Sequence, residues 1–261
     1  MTNTLALAGR YLFAIAVAAF GIDYLLHGHF ATGHPPAPGY TPGAPWTAYL
    51  LGAYLVLAAL GIVTGVAARR CALALGVLFF LCVVLLHGFQ FMGIVLHGGA
   101  RTEAFEALAF GCEAFILAAL LPGRPSAAID RLALVARFVF ALSLIVFGVQ
   151  HFLYAGYIAT LVTAWIPGHL FLVYLSGVGF IAAGIAIAIN VQARLAATAI
   201  GAMLLLWVLV LHLPRAIAAW SNGDEWSSLF VALGIGGGSL VVARWMSKAR
   251  QTTRSAGVSE S

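Results

Sequence analysis

Eight histidines, and a few carboxyl groups set in or beside apolar sequence, are the side chains here that could do chemistry. His27, His29, His34, His97 and His169 stand at or beyond the ends of apolar runs, while His87, His151 and His212 lie inside theirs. Asp23 precedes His27 by one helical turn, so the two share a face. Glu103, Glu106 and Glu113 fall along one face of a single run with Glu113 near its middle, and Asp224 and Glu225 open the last run. Ionisable groups inside a membrane are costly and normally face a bundle interior or water, which marks Asp23, His87, Glu113, His151 and His212. Imidazoles beside aromatic rings can hydrogen-bond the oxygens of a quinone headgroup and exchange its protons with water. His87 is followed by Phe89, Gln90 and Phe91, and His151 by Phe152 and Tyr154.

Other chemistries find less support in the spacing. His27 and His29 are two apart with no HExxH or comparable signature, so no metal site is expected. Haem ligation between helices needs a second histidine facing the first. The cysteines Cys71, Cys82 and Cys112 form no CxxC pair and read as small apolar packing residues. A single histidine near an interface can also serve only to bond a loop carbonyl, and Asp224 and Glu225 suit a helix N-terminus through its dipole.

The elements that must position these groups follow from composition. The chain is 63% hydrophobic and 8% charged, with mean hydropathy +1.04, against about 25% charged residues in soluble domains. Apolar stretches at roughly residues 11–28, 46–67, 72–96, 104–121, 132–154, 168–190, 195–213 and 226–246 each approach the ~20 residues of a membrane-crossing helix. The expected fold is all-α: a polytopic membrane protein with eight transmembrane helices. Arg10, Arg69, Arg70, Arg124, Arg131, Arg137, Arg194, Arg244, Lys248, Arg250 and Arg254 fall on one side of this topology, and only Arg101 and Arg215 on the other. That asymmetry places both termini in the cytoplasm. The net charge of +5 is then orientation within the lipid bilayer, and nucleic acid is not an expected partner.

The chain is also written twice. Ala68-Arg69, Gly76 and His87 recur as Ala193-Arg194, Gly201 and His212, 125 residues on, and Tyr49, Gly52, Ala58, Ile62, Ala72 and Val83 match the residues at the same interval. Phe13-Ala14 and Phe20-Gly21 match Phe140-Ala141 and Phe147-Gly148, so the first run reads as a retained helix rather than a cleaved signal. Two parallel repeats, each a four-helix bundle, are expected at 1–123 and 124–250, joined at Pro122-Gly123-Arg124-Pro125, with a flexible cytoplasmic tail at 251–261. Residues 31–45, rich in proline, and 156–168 read as outer loops.

The second half resembles the DoxX family of four-helix membrane proteins. The resemblance rests on Phe147-Gly148-Val149-Gln150-His151-Phe152, Trp165-Ile166-Pro167, Tyr174-Leu175-Ser176-Gly177, Ala183-Gly184, His212-Leu213-Pro214-Arg215 and Glu225-Trp226-Ser227-Ser228-Leu229-Phe230. The first half looks like a diverged copy, with Tyr24 at the His151 position and Gln90 at that of Arg215. The family name comes from a membrane component of a thiosulfate:quinone oxidoreductase, and other members are linked to oxidative-stress complexes. The resemblance implies a quinone-linked component of the cell's inner membrane, working with a redox partner protein. His151, His212 and Arg215 are the expected catalytic groups, and His87, His151, His212, Phe152 and Tyr154 the expected quinone pocket. A non-catalytic scaffold or assembly factor is one alternative, and a small-molecule or proton-coupled permease using Glu113 and Asp23 is another.

Overall fold

Backbone amides inside hydrocarbon must be satisfied within their own segment, so the apolar runs have only the helix or the closed barrel available to them. A computed structural model describes residues 2–30, 35–37, 45–88 and 97–258, with side chains from residue 4 to residue 248. Every regular element among the described residues is helical. In order they are α1 (Thr2–His27), α2 (Pro45–Thr64), α3 (Ala68–Cys82), α4 (Gly98–Leu120), α5 (Ala127–Leu153), α6 (Ala155–Leu161), α7 (His169–Ala188), α8 (Ala193–Trp207), α9 (Leu213–Ala218) and α10 (Gly223–Val258). Two π-helical segments, Val83–His87 after α3 and Val208–His212 after α8, prolong those helices.

Seven of the described helices are long and apolar enough to cross a membrane: α1, α2, α3 with its π segment, α5, α7, α8 through α9, and α10. The chain is an all-helical, multi-pass membrane protein. Helix α4 has 23 residues but stands apart from those seven because Arg101, Glu103, Glu106 and Glu113 lie along it. Leu26, Leu57, Phe171 and Leu209 are each more than three-fifths exposed. In water such a coat would be unfavourable; facing lipid it costs nothing.

The long helices recur in the same order along the chain, while α6 and α9 have no counterpart among the described residues of the first half. α3 and α8 begin 125 residues apart, each after a left-handed residue, Ala67 (φ 50°) and Gln192 (φ 49°). Their π segments end on His87 and His212. Arg10 of α1 donates to the Ile62 carbonyl at the end of α2, and Arg137 of α5 donates to the Ala188 carbonyl at the end of α7 at 3.3 Å. Arginine is thus used the same way twice, closing carbonyls that a helix C-terminus leaves open.

Packing joins the halves. In sequence around a ring, α1 packs on α2, α2 on α3, α3 on α4, α4 on α5, α5 on α7, α7 on α8, α8 on α10, and α10 again on α1. Helices α4 and α10 also meet each other across the middle. The fourth long helix of each half therefore packs on the first helix of the other.

Two expectations meet a different structure, and a third falls largely outside the described residues. The segment read as a loop from residue 156 holds the short helix α6, which starts anew after Tyr154 leaves helical geometry at φ −115°, ψ 24°. The last helix, expected to end near 246, continues to Val258, so the stretch read as a tail from 251 begins as helix. The outer loop at 31–45 and the residues Phe89, Gln90, Phe91 and His34 lie outside the described residues, apart from the short piece 35–37 and Pro45, which opens α2.

Candidate functional site

Between α4, α5, α7, α8 and α10 lies a partly open cavity of about 810 Å³. Its wall is mainly apolar and aromatic, with Phe147, Phe180, Trp207, Leu204 and Ile235 among the lining residues. Into this surface are set His151, Tyr154, His212 and Arg215 from the second half, and Thr102, Glu103 and Glu106 from α4 of the first. An apolar enclosure with a few convergent polar groups is the usual form of a small-molecule site.

Local contacts explain why each polar group is where it is. Glycines at 148 and 177 let α5 and α7 approach closely: a Cβ at Gly177 would come within 3.0 Å of the His151 Cβ and 3.2 Å of the Gly148 carbonyl oxygen. That contact fixes the height of His151. Its Nδ1 donates to the Phe147 carbonyl at 2.8 Å, so the neutral ring offers Nε2 as a lone-pair acceptor. His212 closes the π segment, a helical irregularity often found at functional sites, and its buried Nδ1 has no hydrogen-bond partner. Pro214 follows at the start of α9, where its missing amide costs nothing.

Arg215 is committed to structure on two sides. Its Nη1 donates to the Leu161 carbonyl at the end of α6 at 2.5 Å, and its Nη2 to Glu225 Oε1 at 2.6 Å. The planar fork thereby pins α6, α9 and α10 around the cavity. Tyr154 accepts a hydrogen bond from Arg101 Nη2 at 2.9 Å, tying the same rim to α4.

Gln150, a site residue that the sequence reading passed over, makes the second such tie. It is buried, donates through Nε2 to the Gly98 carbonyl at 3.0 Å and accepts from Thr102 Oγ1 at 3.1 Å. An amide beside a histidine at the end of the apolar second half of α5 is the signal that points to it. Gln150→Leu should loosen the α4 start from α5 and lower stability by about 1 kcal/mol, as polar contacts between membrane helices do. Thermal unfolding in detergent would check this, and an unchanged midpoint would remove the tie from consideration.

Two of the expected pocket residues lie elsewhere. His87 is 2% exposed, and its Nε2 donates to the Pro36 carbonyl at 3.3 Å, where it ties down the segment 35–37. Phe152 stacks on Tyr174 with ring centroids 5.5 Å apart, on the outer side of α5. Neither lines the cavity. Asp23 is paired with His27 Nδ1 at 3.0 Å near the end of α1, and Glu113 is buried between α4 and α10, away from the lining. Among the described residues no group of three or more metal-ligating side chains comes together.

Comparison with known proteins adds one finding. The family model for a domain of unknown function (DUF8561) matches residues 140–234. That stretch carries His151, Tyr154, His212, Arg215 and Glu225, so the second-half wall of the cavity, Ile235 excepted, lies within the matched residues. No curated protein and no solved structure matches the chain.

Proposed function

We propose that this chain is a DoxX-like membrane component of a quinone-linked redox system, and that the cavity holds the headgroup in its quinol form. In this proposal eight helices cross the inner membrane as a tandem of two four-helix units, with α4 as the eighth span and both termini cytoplasmic. The matched helix bounds of the halves and the one-sided distribution of arginine support that arrangement.

The observation that carries the ligand is the hydrogen bond from His151 Nδ1 to Phe147. It leaves Nε2 to accept rather than donate. Glu103 and Glu106 bring carboxyl oxygens to the same space, and Arg215, the cation of the wall, is engaged by Leu161 and Glu225. These acceptors suit a ligand with hydroxyl donors, while the Tyr154 hydroxyl and the His212 ring, in the same wall, can donate to its oxygens. A quinol carries two hydroxyl donors on an apolar ring; a quinone carries only acceptors. Oxidation of the quinol releases two protons and two electrons. His151 Nε2 takes the first hydroxyl proton, and a carboxylate of α4 is placed to take the second. The electrons leave to a redox partner protein, since no side chain of the cavity accepts them.

Purified protein should contain extractable quinone and should bind decylubiquinol more tightly than decylubiquinone. His151→Ala should weaken quinol binding by about tenfold, the equivalent of one good hydrogen bond, and His212→Ala should weaken it as well. Preparations that contain no quinone and bind neither form would overturn the proposal and leave the scaffold alternative in front.

A further inference from the structure

Four positions decide whether a cavity exists at all. The residues Phe147, His151, Leu204 and Ile235 all line it. By the repeat their counterparts in the first half are Phe20, Tyr24, Phe79 and Phe110. Those four are fully buried. Phe110 stacks on Phe79 with centroids 5.5 Å apart and an interplanar angle of 8°, and meets the edge of Phe20 at 5.5 Å. Gly234 makes room for Phe110 on the α10 side, since a Cβ there would overlap the ring. At the corresponding place in the second half Ile235 and Leu204 replace two stacked rings with two branched aliphatic chains, and His151 replaces Tyr24.

We propose that the chain carries one ligand site, in the second half, and that the first half is a closed copy of the same site. Leu204 and Ile235 are the positions that keep the second copy open, and Phe79 and Phe110 are the plug that shuts the first. This rests on the preceding proposal only in treating the cavity as a ligand site, and it holds for any apolar ligand with polar substituents. It also assigns α4 a double role: Phe110 fills the first half, while Glu103 and Glu106, on the same helix, serve the second.

Cysteine accessibility tests it without knowing the ligand. In a background with Cys71, Cys82 and Cys112 replaced by alanine, His151→Cys and Tyr24→Cys occupy equivalent positions of the two halves. Each is treated in membranes with a small methanethiosulfonate reagent, whose sulfur the thiolate attacks, forming a mixed disulfide and releasing methanesulfinate. Reaction at a fully buried thiol requires local opening, so His151→Cys should react at least about tenfold faster than Tyr24→Cys. Adding Leu204→Phe with Ile235→Phe should transplant the plug and slow His151→Cys to the rate of its counterpart. Trp207→Cys, in the cavity wall, and the native Cys82, its buried first-half counterpart kept as the one cysteine of a separate protein, form a second reporter pair should either first variant fail to fold.

Equal rates in the two halves, or a Leu204→Phe/Ile235→Phe protein that folds and reacts as before, would overturn the proposal. Decylubiquinol is then added as the probe. Failure to protect His151→Cys would count against the quinol assignment while leaving the contrast between the halves intact, so the two outcomes are separable.

Discussion

Gly238→Ala should be among the most damaging single-methyl additions in the chain, lowering stability by about 2–3 kcal/mol. Gly238 of α10 faces Glu113 of α4 where the two helices cross, and a Cβ placed on Gly238 would fall on the Glu113 carboxyl group. Glu113 is 1% exposed, and neither of its carboxyl oxygens has a hydrogen-bond partner. Glu113 is not among the residues that line the cavity, and both helices are held on their far sides, α4 by α3 and α5 and α10 by α1 and α8. Relief should come from the other partner. Glu113→Ala removes the clashing group, so the double variant Glu113→Ala/Gly238→Ala should be more stable than Gly238→Ala alone, and the cycle should show strong coupling between the sites. Reversible unfolding in mixed micelles measures all four corners. Additive effects would mean that α4 and α10 do not meet at these residues.

A second large effect is expected at Arg215. Replacing it by alanine strips Glu225 of its partner at a place where the two side chains are only 21% and 15% exposed, and the Glu225 Oε2 already has no partner. Leaving one charge of a largely buried pair unpaired costs about 3–5 kcal/mol, whereas replacing both with apolar groups of similar size is often close to neutral. Arg215→Met/Glu225→Met should therefore unfold later than Arg215→Ala. Arg215→Lys should not restore wild-type behaviour, because an ammonium group cannot span Leu161 and Glu225 as the two arms of a guanidinium do. Thermal melts of the four proteins would decide the matter. A lysine variant as stable as the parent would show that only the charge matters here.

Sequence alone located most of the secondary structure because membrane helices are long, apolar and bounded by charge, and because each half served as a check on the other. The pairing of His87 with His212 shows the strength of this: both close a π segment in the structure. Yet the pairing does not reach their roles, since His87 bonds the Pro36 carbonyl while His212 faces the cavity. What separates them is the neighbour each meets, and a repeat carries no record of neighbours. Phe152 illustrates the same limit at shorter range. It is adjacent to His151, but one residue around a helix turns a side chain by roughly 100°, enough to move it from the cavity wall to the Tyr174 face. The Glu103 and Glu106 face was visible as an i, i+3 pair; that it looks into the second half follows from the packing of α4 on α5, which no local pattern encodes. Gln150 was hidden for a simpler reason, because its partners Gly98 and Thr102 lie about fifty positions away in another helix.

The closure of the ring by α10 on α1 bears on how such a chain is made. Synthesis proceeds from the amino terminus, and early segments generally fold before later ones emerge. Here α1 has one partner, α2, available at once, and its other has to wait until every intervening helix has been inserted. Helix α4 likewise meets α5 promptly and α10 only at the end. The Pro122-Gly123-Arg124-Pro125 link, which the sequence suggests as the boundary between repeats, is thus spanned by the contacts of α1 with α10 and of α4 with α5 and α10. During biogenesis the face of α1 at Gly9 and Leu12, which meets Gly237, is therefore covered only after α10 has been made.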